Sequence, residues 1–467
     1  MNIKGVLEQM VWWLFLLLLI AIPLPFGAFD GFYWSLFATI SSLLLAGYLL
    51  LQFFGFQRDF YYQGLYQARY ILLLMIVQLI YVAWQSIATS ELWPGVISAD
   101  LPKPAWLHVP ENQSIYPGAA LPWLAKSLFT ISMFTLALCL INTRRRIKWI
   151  VYCLLGSAVL HAFVGILAKY SGLHLVPLET VDGHFDVSRG LFVNRNHYAA
   201  MVNYGIAMLM ISGVYFWYTK PPLYGFRQYV LAFLDTLLSR KLVWCVLLVL
   251  LMMCLNFSTS RAAALGMIGS LGGVMAFAIL VDAQLRSAWK WYLLILLLMI
   301  CVVFIGNSSG LMERLHSGAL SIGERSEQWR LSIDIFQQHW LFGSGAGTYA
   351  EIFQWHRSYG DLRQVVYDQA HSVYVQTLVE QGIVGFILWI AVFVLIIKQM
   401  VSGFIRNNSR YVRSVVLGCL LGICMALLQA MVDFNLLLPA LNIYFYCIVA
   451  IGFSAISVYK RLPDSSA

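Results

Sequence analysis

Charge is what this chain has least of: of 467 residues only 11% are Asp, Glu, Lys or Arg, against 61% hydrophobic. With repeated apolar runs of about 20 residues, that scarcity excludes a water-soluble globular protein, which would have too little polar surface to cover its core. Other absences narrow the chemistry. There is no Gly-Lys-Ser/Thr phosphate loop and no His/Asp/Glu cluster with metal-ligand spacing. The eight cysteines all fall inside apolar runs, where they act as small apolar residues; none is left to crosslink a polar loop, and no pair has zinc or redox spacing. No internal repeat is visible, which weighs against transporters built from two related halves. The first apolar run follows a single Lys4 and lacks a small-residue cleavage site, so it reads as retained and not as a signal peptide.

What is present predicts an all-α polytopic membrane protein, one integral membrane domain over 1–467. About 12 spans are expected, roughly at 10–29, 33–55, 70–89, 121–142, 149–169, 198–218, 242–258, 262–281, 290–306, 379–399, 413–431 and 438–459. Orientation follows from the bias of Lys and Arg to cytoplasmic loops. With both termini in the cytosol, the inner loops collect about 19 of the 30 basic residues and about 5 of the 21 acidic ones. The net charge of +9 is mostly this topological bias and calls for no nucleic acid. Lys220 to Lys241, charged at both ends and apolar between, suggests a helix lying on the inner surface.

Three outer segments remain, 90–120, 170–197 and 307–376, and the last, before the tenth span, is the largest. The first is rich in Pro and Trp and carries no readable chemistry. In the third, apolar residues from Ser326 to Trp340 recur at helical spacing, which predicts an amphipathic helix at the membrane surface, ended by Gly343-Ser-Gly345-Ala-Gly347; a short helix from Tyr349 to His356 follows. The segment then enters the next span through Asp368-Gln-Ala-His371-Ser372-Val-Tyr374. A histidine at a helix N-terminus is held neutral by the helix dipole, as a proton acceptor requires.

His371-Ser372, nine residues, then Gly382-Ile-Val-Gly385 matches the pattern His-[Asn/Ser/Gln]-x9-Gly-x-x-[Gly/Thr/Tyr] that marks bacterial O-antigen ligases. Ser260-Arg261 opening a span, Arg325 and Trp329-Arg330 before the glycine turn, and Val432-Asp433-Phe434-Asn435 also resemble the ligase and polymerase superfamily, over roughly 185–445. The resemblance implies a GT-C-type glycosyltransferase of the bacterial inner membrane that takes a glycan from undecaprenyl diphosphate on the periplasmic face. It makes His371 the base that deprotonates an acceptor hydroxyl, with inversion at the anomeric carbon. No nucleotide, metal or other cofactor is implied, and no partner beyond donor, acceptor and membrane lipid.

A leaving diphosphate needs cationic stabilisation, for which guanidinium forks and helix N-termini are suited. Arg189, Arg195 and Arg261 lie where outer loops enter spans, positions that also suit an arginine snorkelling to lipid phosphate. Arg325 and Arg330 are five apart, about 140° round a helix, so both face one diphosphate only if Arg325 precedes the helix. Asn194, Asn196 and His197 are either donor-binding groups or residues of a helix entry. Asp368 either orients the imidazole or caps the helix, and Tyr374 either lines the site or anchors at the interface. Glu380, nine residues past His371 and about 180° round the helix, is excluded as its direct partner. Asp433 is expected to pair with an arginine. Three acceptors fit this donor chemistry: lipid A-core (ligase), a second lipid-linked repeat (polymerase) or a protein hydroxyl (oligosaccharyltransferase). The reading from another class is a polysaccharide or lipid transporter, which would need ionisable residues deep in the spans.

Overall fold

Inside hydrocarbon a backbone must bond to itself, and apolar runs of span length do so as helices. A computed structural model of the chain describes residues 3–54, 63–86, 114, 116–171, 187–217, 227, 228, 230, 231, 234, 240–282, 286, 297, 326–357 and 367–459. Among these no strand occurs. In chain order the helices are α1 (Ile3–Ala21), α2 (Gly31–Phe53), α3 (Gln63–Gln85), α4 (Ala120–Leu140), α5 (Arg144–Ser171), α6 (Arg195–Trp217), α7 (Arg240–Phe257) and α8 (Arg261–Val281). They continue with α9 (326–338), α10 (Tyr349–His356), α11 (Val373–Arg406), α12 (Arg410–Gln429) and α13 (Pro439–Tyr459). Eight of them (α2–α5, α8 and α11–α13) are long and apolar enough to cross a membrane. The protein is thus a polytopic, all-helical membrane protein. Each predicted span lies over a helix except 290–306, which falls outside the described residues apart from position 297. Most of 90–120, 172–186, 307–325 and the inner segment 220–239 is outside them too.

The core gathers around α6, α12 and α13. α6 packs on α5, α7 and α12, and α12 in turn lies against α8 and α13. α13 is buried along most of its length, its Leu441, Tyr444, Phe445, Ile448 and Phe453 forming one cluster with residues of α6 and α12. A second group, α3 with α4 and α11, stands beside it. The two ends of the bundle differ in chemistry. At one, Arg146 pairs with Glu8 at 3.1 Å and Arg413 with Asp282 at 2.9 Å, and the Arg144 guanidinium lies over the Tyr411 ring. At the other, the connections knit together through backbone bonds: Ser188 N–H to Phe257 O at 2.9 Å, Val373 N–H to Ala430 O at 3.0 Å, and Ala440 N–H to Gly27 O at 3.4 Å. Among the described residues, Arg189, Arg195, Arg261 and His371 sit at this second end.

Candidate active site

α11 starts at Val373, and the Ser372 side chain caps it by accepting from Val375 N–H. His371 therefore stands one position outside the cap, with φ of 51° in the left-handed region. Histidine is one of the residues that tolerates this region, at a cost of about 1–2 kcal/mol. Of the two roles open to Asp368, capping is taken by Ser372; the carboxylate is exposed.

The peptide groups just before His371 are pinned from two sides. Trp329 Nε1 donates to Ala370 O at 2.8 Å and Gln328 Nε2 to Gln369 O at 2.7 Å, while Ala370 N–H reaches Gln376 Oε1 at 3.3 Å. These bonds explain why α9 is amphipathic: Gln328, Ser332 and Ile335 form its buried face, docked on this segment. Arg330 projects from the opposite, exposed face, and Arg325 lies outside the described residues. Glu380 does not touch His371 directly, in line with the helix count. Buried, it accepts from Gln376 Nε2 and Gly347 N–H, both at 3.0 Å, and so reaches the His371 segment through Gln376.

The two glycine runs meet. At Gly382 the backbone of α11 leaves helical geometry (φ 61°, ψ −170°), and the chain at 340–345 pairs with the opened turn. Ser344 N–H bonds Val379 O at 2.9 Å, Gly345 N–H bonds Glu380 O at 2.8 Å, and Ile383 N–H bonds Trp340 O at 2.8 Å. The Tyr81 hydroxyl, 2.7 Å from Gln381 O, covers a carbonyl that the break leaves without its helical donor. A Cβ at Gly382 would lie 2.5 Å from Gly343 N and Leu341 C, so no side chain fits there. The spacing between His371 and Gly382 is thus the distance from the cap of α11 to the break that receives the glycine turn.

The arginines enter from the ends of α6 and α8. Asn194 caps α6, its Oδ1 accepting Asn196 N–H at 2.8 Å, and Ser260 caps α8, accepting Ala263 N–H at 3.3 Å. Capping places Arg195 and Arg261 each at the first helical position, where backbone N–H groups and the dipole favour an anion. The two ends are tied by Arg195 Nη1 to Thr259 Oγ1 at 3.0 Å and Ser260 Oγ to Asn196 Oδ1 at 2.8 Å. Arg189 Nη1 reaches Val193 O at 3.5 Å within the turn that precedes Arg195.

The loop after α12 joins the arginine edge to His371. Gln429 Nε2 donates to Asn196 O at 2.9 Å and to Asp433 Oδ2 at 3.2 Å. Asp433 is fully buried and faces His197 Nε2 at 4.0 Å, so its contacts are a histidine and an amide where an arginine was expected. Full burial of Asp433 in the loop after α12, against Gln429 and His197, accounts for that difference. The Phe434 ring contacts two imidazoles, His197 at 4.6 Å and His371 at 5.4 Å, both edge to face. Tyr374 points elsewhere: its hydroxyl donates to Leu427 O at 3.1 Å and its ring packs on Trp389. Gln429, Phe434 and Gln376 were not candidates from sequence. A polar residue at the end of an apolar helix, or four residues before a carboxylate as in Gln376 and Glu380, is the only trace they leave there.

Among the described residues no group of three or more His, Cys, Asp or Glu side chains converges as a metal site would require. The arrangement offers an imidazole beside a rim of guanidinium groups and helix N-termini. No match was found among curated proteins. Residues 246–390, a stretch containing Arg261, Arg330, His371, Gly382 and Gly385, match the family model described as O-Antigen ligase, and this match supports the O-antigen ligase superfamily.

Proposed function

We propose that this protein transfers a glycan from undecaprenyl diphosphate to an acceptor hydroxyl on the periplasmic face of the bacterial inner membrane, and that its acceptor is lipid A-core. One observation carries the reading: His371 and the start of α6 meet around Asp433 and Phe434, and the start of α8 is tied to α6 through Asn196 and Thr259, at the end of the bundle opposite Arg144, Arg146 and Arg413. If lysine- and arginine-rich loops face the cytosol, that end is periplasmic.

In the proposed step the His371 imidazole takes the proton of the acceptor hydroxyl as its oxygen bonds to the anomeric carbon. The bond from that carbon to the diphosphate oxygen breaks on the opposite face, so configuration inverts and undecaprenyl diphosphate leaves. Charge gathers on the leaving oxygens, and Arg195 and Arg261, each at a helix N-terminus, are placed to receive it. Nothing in the step calls for a nucleotide or a divalent ion. Activity is expected to persist in EDTA; loss of turnover restored by a divalent cation would overturn the metal-free mechanism.

Reconstitution of the purified protein with an undecaprenyl-diphosphate-linked glycan, offering lipid A-core and lipid-linked repeat as competing acceptors, tests the assignment. Product on lipid A-core supports ligation. Lengthened lipid-linked chains identify a polymerase instead, and transfer to neither sinks the transferase reading. Substituting Arg195 or Arg261 by alanine is expected to raise the donor KM about tenfold or more, the scale of one charge-assisted contact to a phosphate, and to leave acceptor KM within about twofold. Unchanged donor kinetics in both variants would remove the diphosphate site from these helix ends.

A further inference from the structure

The spans carry few charges, yet two of them meet at one place. Lys126, in the second turn of α4, and Glu380, at the start of the third turn of α11, line a common cavity of about 600 Å³ at the same end of the bundle as His371. An ionisable residue within a spanning helix is costly and generally faces a polar cavity or a partner. Here both face the cavity, and neither belongs to the arginine edge. The volume lies within the range of small-ligand sites.

Its lining has the chemistry of a carbohydrate site. Trp123 and Trp389 provide flat apolar faces, while Gln78, Gln376 and Asn442 provide amides that both donate and accept. Among the described residues carboxylates outnumber cations: Glu351, Asp368 and Glu380 border the space with Lys126 as the one basic side chain. A wall with that charge balance disfavours a diphosphate and suits hydroxyl groups, which carboxylates accept from and Lys126 donates to. Phe434 borders the cavity and also touches both His371 and His197, so its ring links this space to the His371 segment and to α6.

We propose that this cavity holds uncharged sugar residues of the acceptor glycan, stacked on Trp123 and hydrogen-bonded to Lys126, and so delivers a hydroxyl to His371 beside Phe434. The inference rests on the transferase reading for its direction, but binding can be measured without turnover. Purified full-length protein is titrated calorimetrically with two probes, deacylated core oligosaccharide and the free repeat-unit oligosaccharide, and then again with inorganic pyrophosphate present. One probe is expected to bind, Trp123→Ala to weaken it about tenfold or more, and Trp123→Phe to restore it to within about threefold. Lys126→Gln is expected to weaken the same probe about fivefold, and pyrophosphate not to compete. Variants are compared only where thermal midpoint and gel-filtration profile match the parent. Binding of neither probe, equal affinity in Trp123→Ala and Lys126→Gln, or displacement by pyrophosphate would overturn the proposal. Binding with this pattern in a protein that transfers nothing would leave the cavity assignment standing and sink the transferase reading.

Discussion

Replacing His371 by alanine should lower glycan transfer by about 10² to 10⁴-fold, the range that a positioned general base supplies. Donor KM should change little, because the arginine edge is built from the ends of α6 and α8, while His371 stands before α11. Alanine also changes the backbone preference at a residue whose φ is 51°, so the loss has two sources unless they are separated. His371→Asn separates them, since asparagine accepts the left-handed region readily and offers no base. Both variants should be equally inactive, with the asparagine protein keeping the parental thermal midpoint. Turnover near the parental rate in His371→Asn, measured under single-turnover conditions with donor saturating, would remove the base assignment.

The second large effect falls on a residue with no chemistry. Gly382→Ala should destabilise the fold by about 2–4 kcal/mol, from a left-handed backbone unsuited to alanine and from overpacking. The added methyl would sit 2.5 Å from Gly343 N and Leu341 C, and backbone atoms cannot rotate aside as a flexible side chain can. Because the glycine turn and α11 together seat Glu380 and Gln376, and Gln376 bonds the Ala370 peptide, the displacement should reach His371 and reduce transfer along with stability. Gly156→Ala, where no atom lies within 4 Å of the new carbon, is the control and should leave both unchanged. A Gly382→Ala protein with parental thermal midpoint and full activity would refute the account of the seam.

The resemblance to O-antigen ligases was legible because its residues lie close together in the chain. His371, Gly382 and Gly385 fall within one helix and its entry, so their spacing survives as a string of letters. What the string could not show was why the spacing matters. Glycine in an apolar run usually marks small-residue packing, and only the pairing of 379–384 with 340–345 reveals a helix opened to receive a second glycine turn. Asp433 is a similar case. Read alone, a carboxylate near a rim of arginines should find one of them, but the loop after α12 turns it inward, to Gln429 and His197. Lys126 and Glu380 were both visible as charges in apolar runs about 250 residues apart, and no sequence rule joins them across one cavity.

Composition and hydropathy alone determined that this is a helical membrane protein, since a chain so poor in charge has no other solvent for its surface. Local pattern went further where one turn of backbone decides the outcome, as at the caps Asn194, Ser260 and Ser372, whose side chains satisfy N–H groups two or three residues away. Which polar residues face one another was decided only by tertiary structure. Packing of α6 against α8 and α12 sets the arginine edge beside Asp433, and docking of α9 on residues 369 and 370 sets the pose of His371. Contacts of that kind depend on the relative placement of helices far apart in the chain, which periodicity along any single helix does not encode.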